Sequence, residues 1–415
     1  DGGAFSYAGR VGTGFSDKTL KELERLLQPY RREGSPFQSG PKLPRESMFV
    51  EPCVVAEIEF TGWTREGVMR APSFKGVRED KEPREVMLDG PPVAEGADDA
   101  DEPSPDGPRA LFDEVTENPD GSLIVLCQGR RLKLTNWDKV LFPAAGFTKG
   151  DLIAFYARIA PAVLPHLRDR ALTLKRYPSG VDAQHFYEKQ SPSHRPGFVQ
   201  TEQIGEINYT LAQDRPTLVW LANLADVELH TSLSLAKAPE KPTMMVFDLD
   251  PGPPAGILEC CEVALVLRGL FEQLGLESLI KTSGSKGMQL YVPLNSEVTY
   301  GDTKPFARRV AELLEQRMPD LVVSRMTRSL RPGKVLVDWS QNDEHKTTVT
   351  VYSVRARERP TVSTPLRWEE VEHCRAIGDP AALTFETDQV LMRVEELGDL
   401  FAPAVELVQK LPPLG

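Results

Sequence analysis

With 415 residues, 40% hydrophobic and 27% charged, the chain has the make-up of a soluble globular protein too long for one core, and the usual ~100–200 residues per domain predicts two or three. No run approaches the ~18 apolar residues of a membrane-spanning helix, and no secretory leader opens the sequence, which begins at Asp1 as a fragment or processed form does. The net charge of −12 speaks against a polyanionic partner, yet half of it sits in residues 90–108, GPPVAEGADDADEPSPDGP, with six acids and no base.

In chain order, residues 1–89 come first and are nearly neutral, with 15 acids against 14 bases. A Gly-rich opening, GRVGTGF, leads to one predicted helix over 17–27 (DKTLKELERLL), and strand-like VVAEIEF (54–60) then alternates with Gly/Pro turns. Short strands and turns in so few residues predict a small all-β barrel. The acidic segment 90–108, with five prolines and three glycines, cannot pack a core and reads as a linker able to span ~60 Å when extended. The five cysteines (Cys53, Cys127, Cys260, Cys261 and Cys374) include no C-x-x-C pair, which argues against a disulfide framework or zinc site and for a reducing cytoplasm.

Residues 109–415 alternate the two periodicities and predict an α/β or α+β domain. Helical spacing marks 149–167, 258–275 and 306–318, while ALTLKRY, MMVFDLD, SLIKTSG, MQLYVPL and KVLVDW read as buried strands. In MMVFDLDPG, Asp248 and Asp250 stand two apart at a strand end, so period-two alternation points both carboxylates to one face. A second apolar strand ends in Asp338. Three such acids converging make a hard-oxygen site for Mg²⁺ or Mn²⁺, the equipment of two-metal phosphoryl or nucleotidyl transfer. A plain strand-and-turn reading of D-x-D-P-G stays open, as does a D-x-D phosphatase, although Pro251 and Gly252 follow where that chemistry wants a small hydroxyl residue.

The stretch TSGSKGMQLYVP (282–293) is a Gly/Ser loop with one lysine, a form that presents backbone N–H groups to phosphate or serves as a flexible turn. Basic residues surround the acids in sequence: Arg325, Arg328, Arg331 and Lys334 before Asp338, Arg355 and Arg357 after it, and Lys139 and Lys149 upstream. Lys175, Arg176 and Lys189 neighbour the aromatics Tyr177, Phe186 and Tyr187. Cations interleaved with rings suit phosphate contact plus base stacking, worth ~1–3 kcal/mol per stacked base.

VFDLDPG, KTSGSKG, VLVDWSQN with HKTT, VYSVRAR, and LTNWDKVLFP with TKGDL together resemble the polymerase domain of bacterial ATP-dependent DNA ligase D, of the archaeo-eukaryotic primase superfamily. The resemblance runs from about residue 115 to 412 and implies a primase-polymerase fold with mixed central sheets. GRVGTGFSDKTL and VAEIEFTGWTREGVMRAPSFKGVREDK resemble the OB-fold of the same enzyme's ligase module, with Arg70, Arg78, Asp80 and Lys81 in its last nucleotidyltransferase motif. No K-x-D-G lysine occurs in this chain, so it should not adenylylate itself; ATP would serve the ligase module only with that half present.

The resemblance implies that Asp248, Asp250 and Asp338 bind two Mn²⁺ or Mg²⁺ ions and that Ser283, Lys286, Gln289, Arg355, Gln341 and His230 surround a nucleoside triphosphate, ribonucleotides being favoured. Asn136, Lys139 and Lys149 would recognise a 5′-phosphate across a gap, Phe186 and Tyr187 would stack on the template, and Lys175, Lys189 and Arg331 would lie near DNA. It implies template-dependent gap filling and end extension in non-homologous end joining, in the cytoplasm at the nucleoid, with double-stranded ends and Ku as partners and no membrane. The family usually has histidine where this chain has Gln289, and again at Gln190. Glutamine cannot carry an imidazolium charge, so this departure implies weaker nucleotide binding or slower turnover, and opens the alternative of a catalytically weak end-binding scaffold.

Overall fold

The computed structural model describes residues 107–413 without a break and, before them, residues 7–11, 15, 17–32, 34–36, 48–59, 62–63, 69–70, 72–78, 83 and 86. The chain forms two compact units, residues 1–101 and 102–415. Most of the acidic segment, 90–106, lies outside the described residues, as do Asp80 and Lys81.

In the first unit the expected helix spans Asp17–Leu27. Val55–Glu59 pairs antiparallel with Ser73–Arg78, its register shifting between Glu57 and Ile58. Gly62–Trp63 pairs with Met69–Arg70, and Arg31–Arg32 with Phe49–Val50. Phe74 is buried, and the ring of Phe15 stacks on it at 4.8 Å. Among the described residues these strands form two-stranded ladders without barrel closure. Arg78 pairs with Glu57 at 3.5 Å, and Arg70 is placed only as a strand residue.

The second unit is mixed α/β. A meander of Glu114–Glu117, Leu123–Cys127 and Arg130–Leu134 leads to the helix Lys149–Leu167. Thr148 and Asp151 close a reciprocal cap at its start, satisfying N–H groups that a helix otherwise leaves orphaned. Two sheets follow. The four-stranded one runs Phe186–Glu188, Leu172–Arg176, Asp226–Thr231, Thr348–Val349. The six-stranded one runs Val322–Val323, Val335–Asp338, Met244–Pro251, Met288–Pro293, Leu279–Thr282, Pro365–Leu366, antiparallel except at its first pair.

Alternation along the six-stranded sheet divides its side chains between two cores. Met245, Phe247, Leu249, Leu290 and Ile280 pack with Cys260, Leu267 and Phe271 of the helix Ile257–Gln273 and with Phe306 and Leu314 of Tyr300–Arg317. Met244, Val246 and Tyr291 face the other core, with Val227 and Leu229 of the smaller sheet and the helices Lys149–Leu167 and Arg215–Asn223. By the same period of two, Asp248, Asp250, Asp338, Gln289 and Lys281 project from this second face, where the apolar filling stops. No helix among the described residues is long and apolar enough to cross a membrane.

Candidate functional site

Strand register builds the floor of the site. Asp248 pairs directly with Asp338 on one neighbouring strand and with Gln289 on the other, and Gln289 pairs in turn with Lys281. A single row therefore crosses four strands as acid, acid, amide, base. Past Asp338 the ladder ends, and the side chain of Asn342, wholly buried, replaces it by bonding both the N–H (2.9 Å) and the C=O (2.7 Å) of Val246. Asp338 accepts from the backbone N–H (2.9 Å) and hydroxyl (2.6 Å) of Ser340 through one oxygen and from Gln341 Nε2 (3.1 Å) through the other.

Neighbouring carboxylates in this corner raise Asp248 and Asp250. Burial, then Asp250 and Asp338, push the Asp248 carboxyl up to about 7, against a hydrogen bond from Gln289 and the charge of Lys281. Asp250 is raised by burial and by Asp338, with Arg331 and Arg355 opposing. The floor thus carries more negative charge than its own bases offset. Lys281 is buried and its Nζ donates to Gln289 Oε1 (2.6 Å), Ser363 Oγ (2.6 Å) and Val349 O (3.1 Å), three acceptors for three N–H groups. Burial drives its pKa well down, then the charge of Arg355, while Asp248 acts the other way.

The Gly/Ser loop joins the two strands that carry Lys281 and Gln289, and lines the same cavity as Asp248 and Asp250. Its Ser283 hydroxyl accepts from the backbone N–H of Ser285 and of Gly287, both at 3.3 Å, which ties the loop to itself. Gly284 has φ +64° and sits so close to Arg355 and Val362 that an added Cβ would stand 2.7 Å from each. Arg355 donates to Ser283 O and Arg357 to Ser285 Oγ, so both arginines of VYSVRAR grip the loop from outside. Lys286 is exposed at the tip and pairs with no carboxylate among the described residues. Floor and loop enclose a cavity of about 360 Å³.

Beside the cavity, the smaller sheet exposes Phe186 and Tyr187, 45% and 60% accessible. Arg176 lies over the Phe186 ring at 5.2 Å and Lys175 over the Tyr187 ring at 5.7 Å. Elsewhere in the unit, Lys149 donates its backbone N–H to Lys139 O (2.8 Å), and Lys139 donates its own to Asn136 O (3.1 Å).

Residues 148–401, more than half of the chain, match the family described as LigD, primase-polymerase domain. This chain belongs to the LigD primase-polymerase family. Residues 1–81 match the ATP-dependent DNA ligase C-terminal region. The family likeness extends to a multifunctional non-homologous end joining protein LigD of Mycolicibacterium smegmatis, 43% identical over 279 residues, covering 66% of this chain and 36% of that protein. Its counterpart in Pseudomonas aeruginosa is 32% identical over 377 residues, covering 88% of this chain and 42% of that one. The chain therefore spans well under half the length of these relatives. The polymerase domain of Mycobacterium tuberculosis ligase D, solved with DNA, superposes with a TM-score of 0.62 at 39% identity, covering 67% of this chain and 99% of that domain.

In this family member the cavity brings together eight of the residues singled out in the sequence: His230, Asp248, Asp250, Ser283, Lys286, Gln289, Arg331 and Arg355. Arg331, expected near DNA, stands on the cavity wall facing Asp250. Asp338 and Gln341 adjoin the cavity without lining it. Phe186, Tyr187, Lys175 and the exposed Lys189 form a separate patch, and Asn136, Lys139 and Lys149 another. In that second patch Asn136 and Lys139 are exposed while Lys149 is buried, its Nζ donating to Asn223 O at 2.9 Å. Gln190 is engaged elsewhere, its Oε1 accepting from the Asn208 N–H at 3.0 Å.

Three carboxylates on adjacent strands offer the hard oxygens that Mg²⁺ and Mn²⁺ take, and the raising of both Asp248 and Asp250 by burial and by neighbouring carboxylates marks a corner short of positive charge. Among the described residues no group of three or more His, Cys, Asp or Glu side chains is already drawn into metal-holding geometry. Sequence reasoning missed Lys281 and Glu228. Both are buried charges within strands, and a buried charge signals a partner to be found.

Proposed function

We propose that this chain is a template-dependent nucleotidyltransferase of non-homologous end joining, filling gaps and extending ends, fused to the OB-fold part of a DNA ligase. Residues 1–89 would be the ligase part, 90–108 a tether and 109–415 the polymerase domain. The observation that carries the reading is the register that sets Asp248 against Asp338 beneath a loop gripped by Arg355 and Arg357. Asp248, Asp250 and Asp338 would hold two divalent ions, Mn²⁺ or Mg²⁺, which when bound clamp the attacking and leaving oxygens of an in-line displacement.

The chain's own residues do the rest. Lys286, Arg355 and His230 take the triphosphate, while Ser283 keeps the loop in shape. Gln341 and Ser340 orient Asp338, and Gln289 with Lys281 orients Asp248. Phe186 and Tyr187 stack template bases, Lys175, Lys189 and Arg331 meet the strand, and Asn136 and Lys139 read the 5′-phosphate, with the buried Lys149 behind them. Ribonucleotides are the favoured substrate, Ku and broken duplex ends the partners, and the nucleoid the place of action.

The test is primer extension by purified protein on gapped duplex, with and without the 5′-phosphate, with ribonucleotides and Mn²⁺. Addition that depends on the metal, improves with the phosphate and vanishes in Asp248→Ala supports the proposal. Tight binding to the gap with no addition, identical in Asp248→Ala, overturns it in favour of a scaffold that only holds ends.

A further inference from the structure

We infer that Glu228 is a positioning residue that joins the template side of the site to the nucleotide side, so that occupation of one is felt at the other. This rests on the polymerase reading above.

Glu228 lies in the middle of the strand Asp226–Thr231 and is 2% exposed. On that strand's neighbour it pairs with Lys175, which pairs in turn with Tyr187, so a row of acid, base and exposed ring crosses three strands. Its two oxygens serve opposite directions. Oε1 accepts from the Ala356 N–H at 3.1 Å and lies 3.5 Å from Lys175 Nζ, the ammonium poised over the rings of Tyr177 and Tyr187. Oε2 meets His230 Nε2 at 3.0 Å and Arg355 Nε at 3.3 Å.

His230 and Arg355 both line the cavity, and Arg355 also donates to the Gly/Ser loop at Ser283 O. One carboxylate therefore touches the base that backs the template-stacking ring and two of the three side chains assigned to the triphosphate, His230 and Arg355.

A buried carboxylate is tolerated only while its partners stay with it. Burial alone would raise this carboxyl, but the His230 hydrogen bond and the charges of Arg355 and Lys175 outweigh it and hold Glu228 ionised. Both charged contacts, Arg355 and Lys175, have slack. Arg355 Nε is buried near Glu228 without reaching hydrogen-bond geometry, and Lys175 stands at the long end of the range. When a nucleotide draws Arg355, or a template base displaces the Tyr187 ring, the other partners take a larger share of the same two oxygens. Groups that share one partner are not energetically independent, and coupling between ligands is reciprocal.

The experiment measures the affinity of a non-hydrolysable ribonucleoside triphosphate with and without a gapped, 5′-phosphorylated duplex, on the full chain, by fluorescence anisotropy. Duplex should tighten nucleotide binding at least fivefold in the wild type. Glu228→Gln should bring that factor to within twofold of unity, and Glu228→Asp should restore part of it. Lys175→Gln, which leaves Glu228 in place and keeps the inference testable if the Glu228 variants fold poorly, should weaken nucleotide binding in the presence of duplex at least threefold. No coupling in the wild type, an unchanged factor in folded Glu228→Gln, or unchanged nucleotide affinity in Lys175→Gln overturns the inference. Binding is read without turnover, so coupling without any primer extension upholds Glu228 and overturns the polymerase reading instead.

Discussion

Gln289 carries the sharpest prediction. Sequence resemblance made it a handicap, because glutamine cannot bring an imidazolium charge to a phosphate. In the structure it bridges two charges instead. Its Oε1 accepts from buried Lys281 at 2.6 Å, and its amide hydrogen-bonds Asp248. A neutral imidazole has one acceptor and one donor and can fill the same bridge, whereas a protonated one has no lone pair for Lys281 and would sit beside its charge. Gln289→His should therefore leave kcat/KM for the nucleotide within about threefold of the wild type. Gln289→Leu keeps the volume and loses both bonds. A hydrogen bond to a charged group contributes about 1.5–3 kcal/mol, so losing the Asp248 bond alone costs roughly 10- to 150-fold in kcat/KM. Single-turnover extension of a gapped primer measures all three proteins, and the bridge reasoning also requires Lys281→Met to resemble Gln289→Leu. A rise of more than tenfold in Gln289→His, or an undiminished Gln289→Leu, would refute the bridge and restore glutamine as the handicap.

Gly287 lies where an added Cβ would stand 2.1 Å from Leu249 O, so Gly287→Ala must push the loop off the Asp248 strand. It should raise the nucleotide KM at least tenfold and lower the thermal midpoint, whereas Gly197→Ala, with nothing within 4 Å, changes neither. Phe186→Ala should weaken duplex binding by about 1–3 kcal/mol in anisotropy titrations, leaving the thermal midpoint of this exposed residue's domain in place. Burial, then Lys139, pushes the Lys149 ammonium down from 10.5 to about 8. Between those two values the unfolded chain holds a proton that the native state has released, so this group's contribution makes stability rise with pH across that window. Urea midpoints at both ends of the window, compared with Lys149→Met, should show the rise shrink in the variant; an equal rise in both proteins counts against a buried, depressed Lys149.

Local pattern carried much of the second unit. The helix at 149–167 was legible to the residue from apolar positions at helical spacing, and the Thr148–Asp151 cap fixes its start. That at 306–318 begins earlier, at Tyr300, since Thr299 and Asp302 cap it and Pro305 is tolerated in the first turns. The face shared by Asp248 and Asp250 followed from alternation alone. What alternation cannot supply is register between strands far apart in sequence: nothing near Lys281 says that Gln289, Val349 and Ser363 converge on it. Lys149 read as a cation for a 5′-phosphate, and the carbonyl of Asn223, distant in sequence, receives its ammonium in the interior. Ser283 read as a phosphate contact, and its hydroxyl is taken up by the loop's own N–H groups.

The division of charge within the cavity bears on what it accepts. The acids Asp248 and Asp250 lie on the strand floor, while Lys286, Arg331, Arg355 and Arg357 come from loops around it. A bare polyphosphate reaching the loops would meet the floor's repulsion, and a bare divalent ion on the floor would leave the loop cations unanswered. A ligand carrying both a divalent ion and a chain of phosphates satisfies both zones at once, which is the chemistry of a metal-bound nucleoside triphosphate. Burial, with Asp338 beside both and Asp250 beside Asp248, keeps the carboxyls of Asp248 and Asp250 raised until positive charge arrives, so metal and nucleotide should bind with positive cooperativity, each supplying the charge that the other's zone lacks.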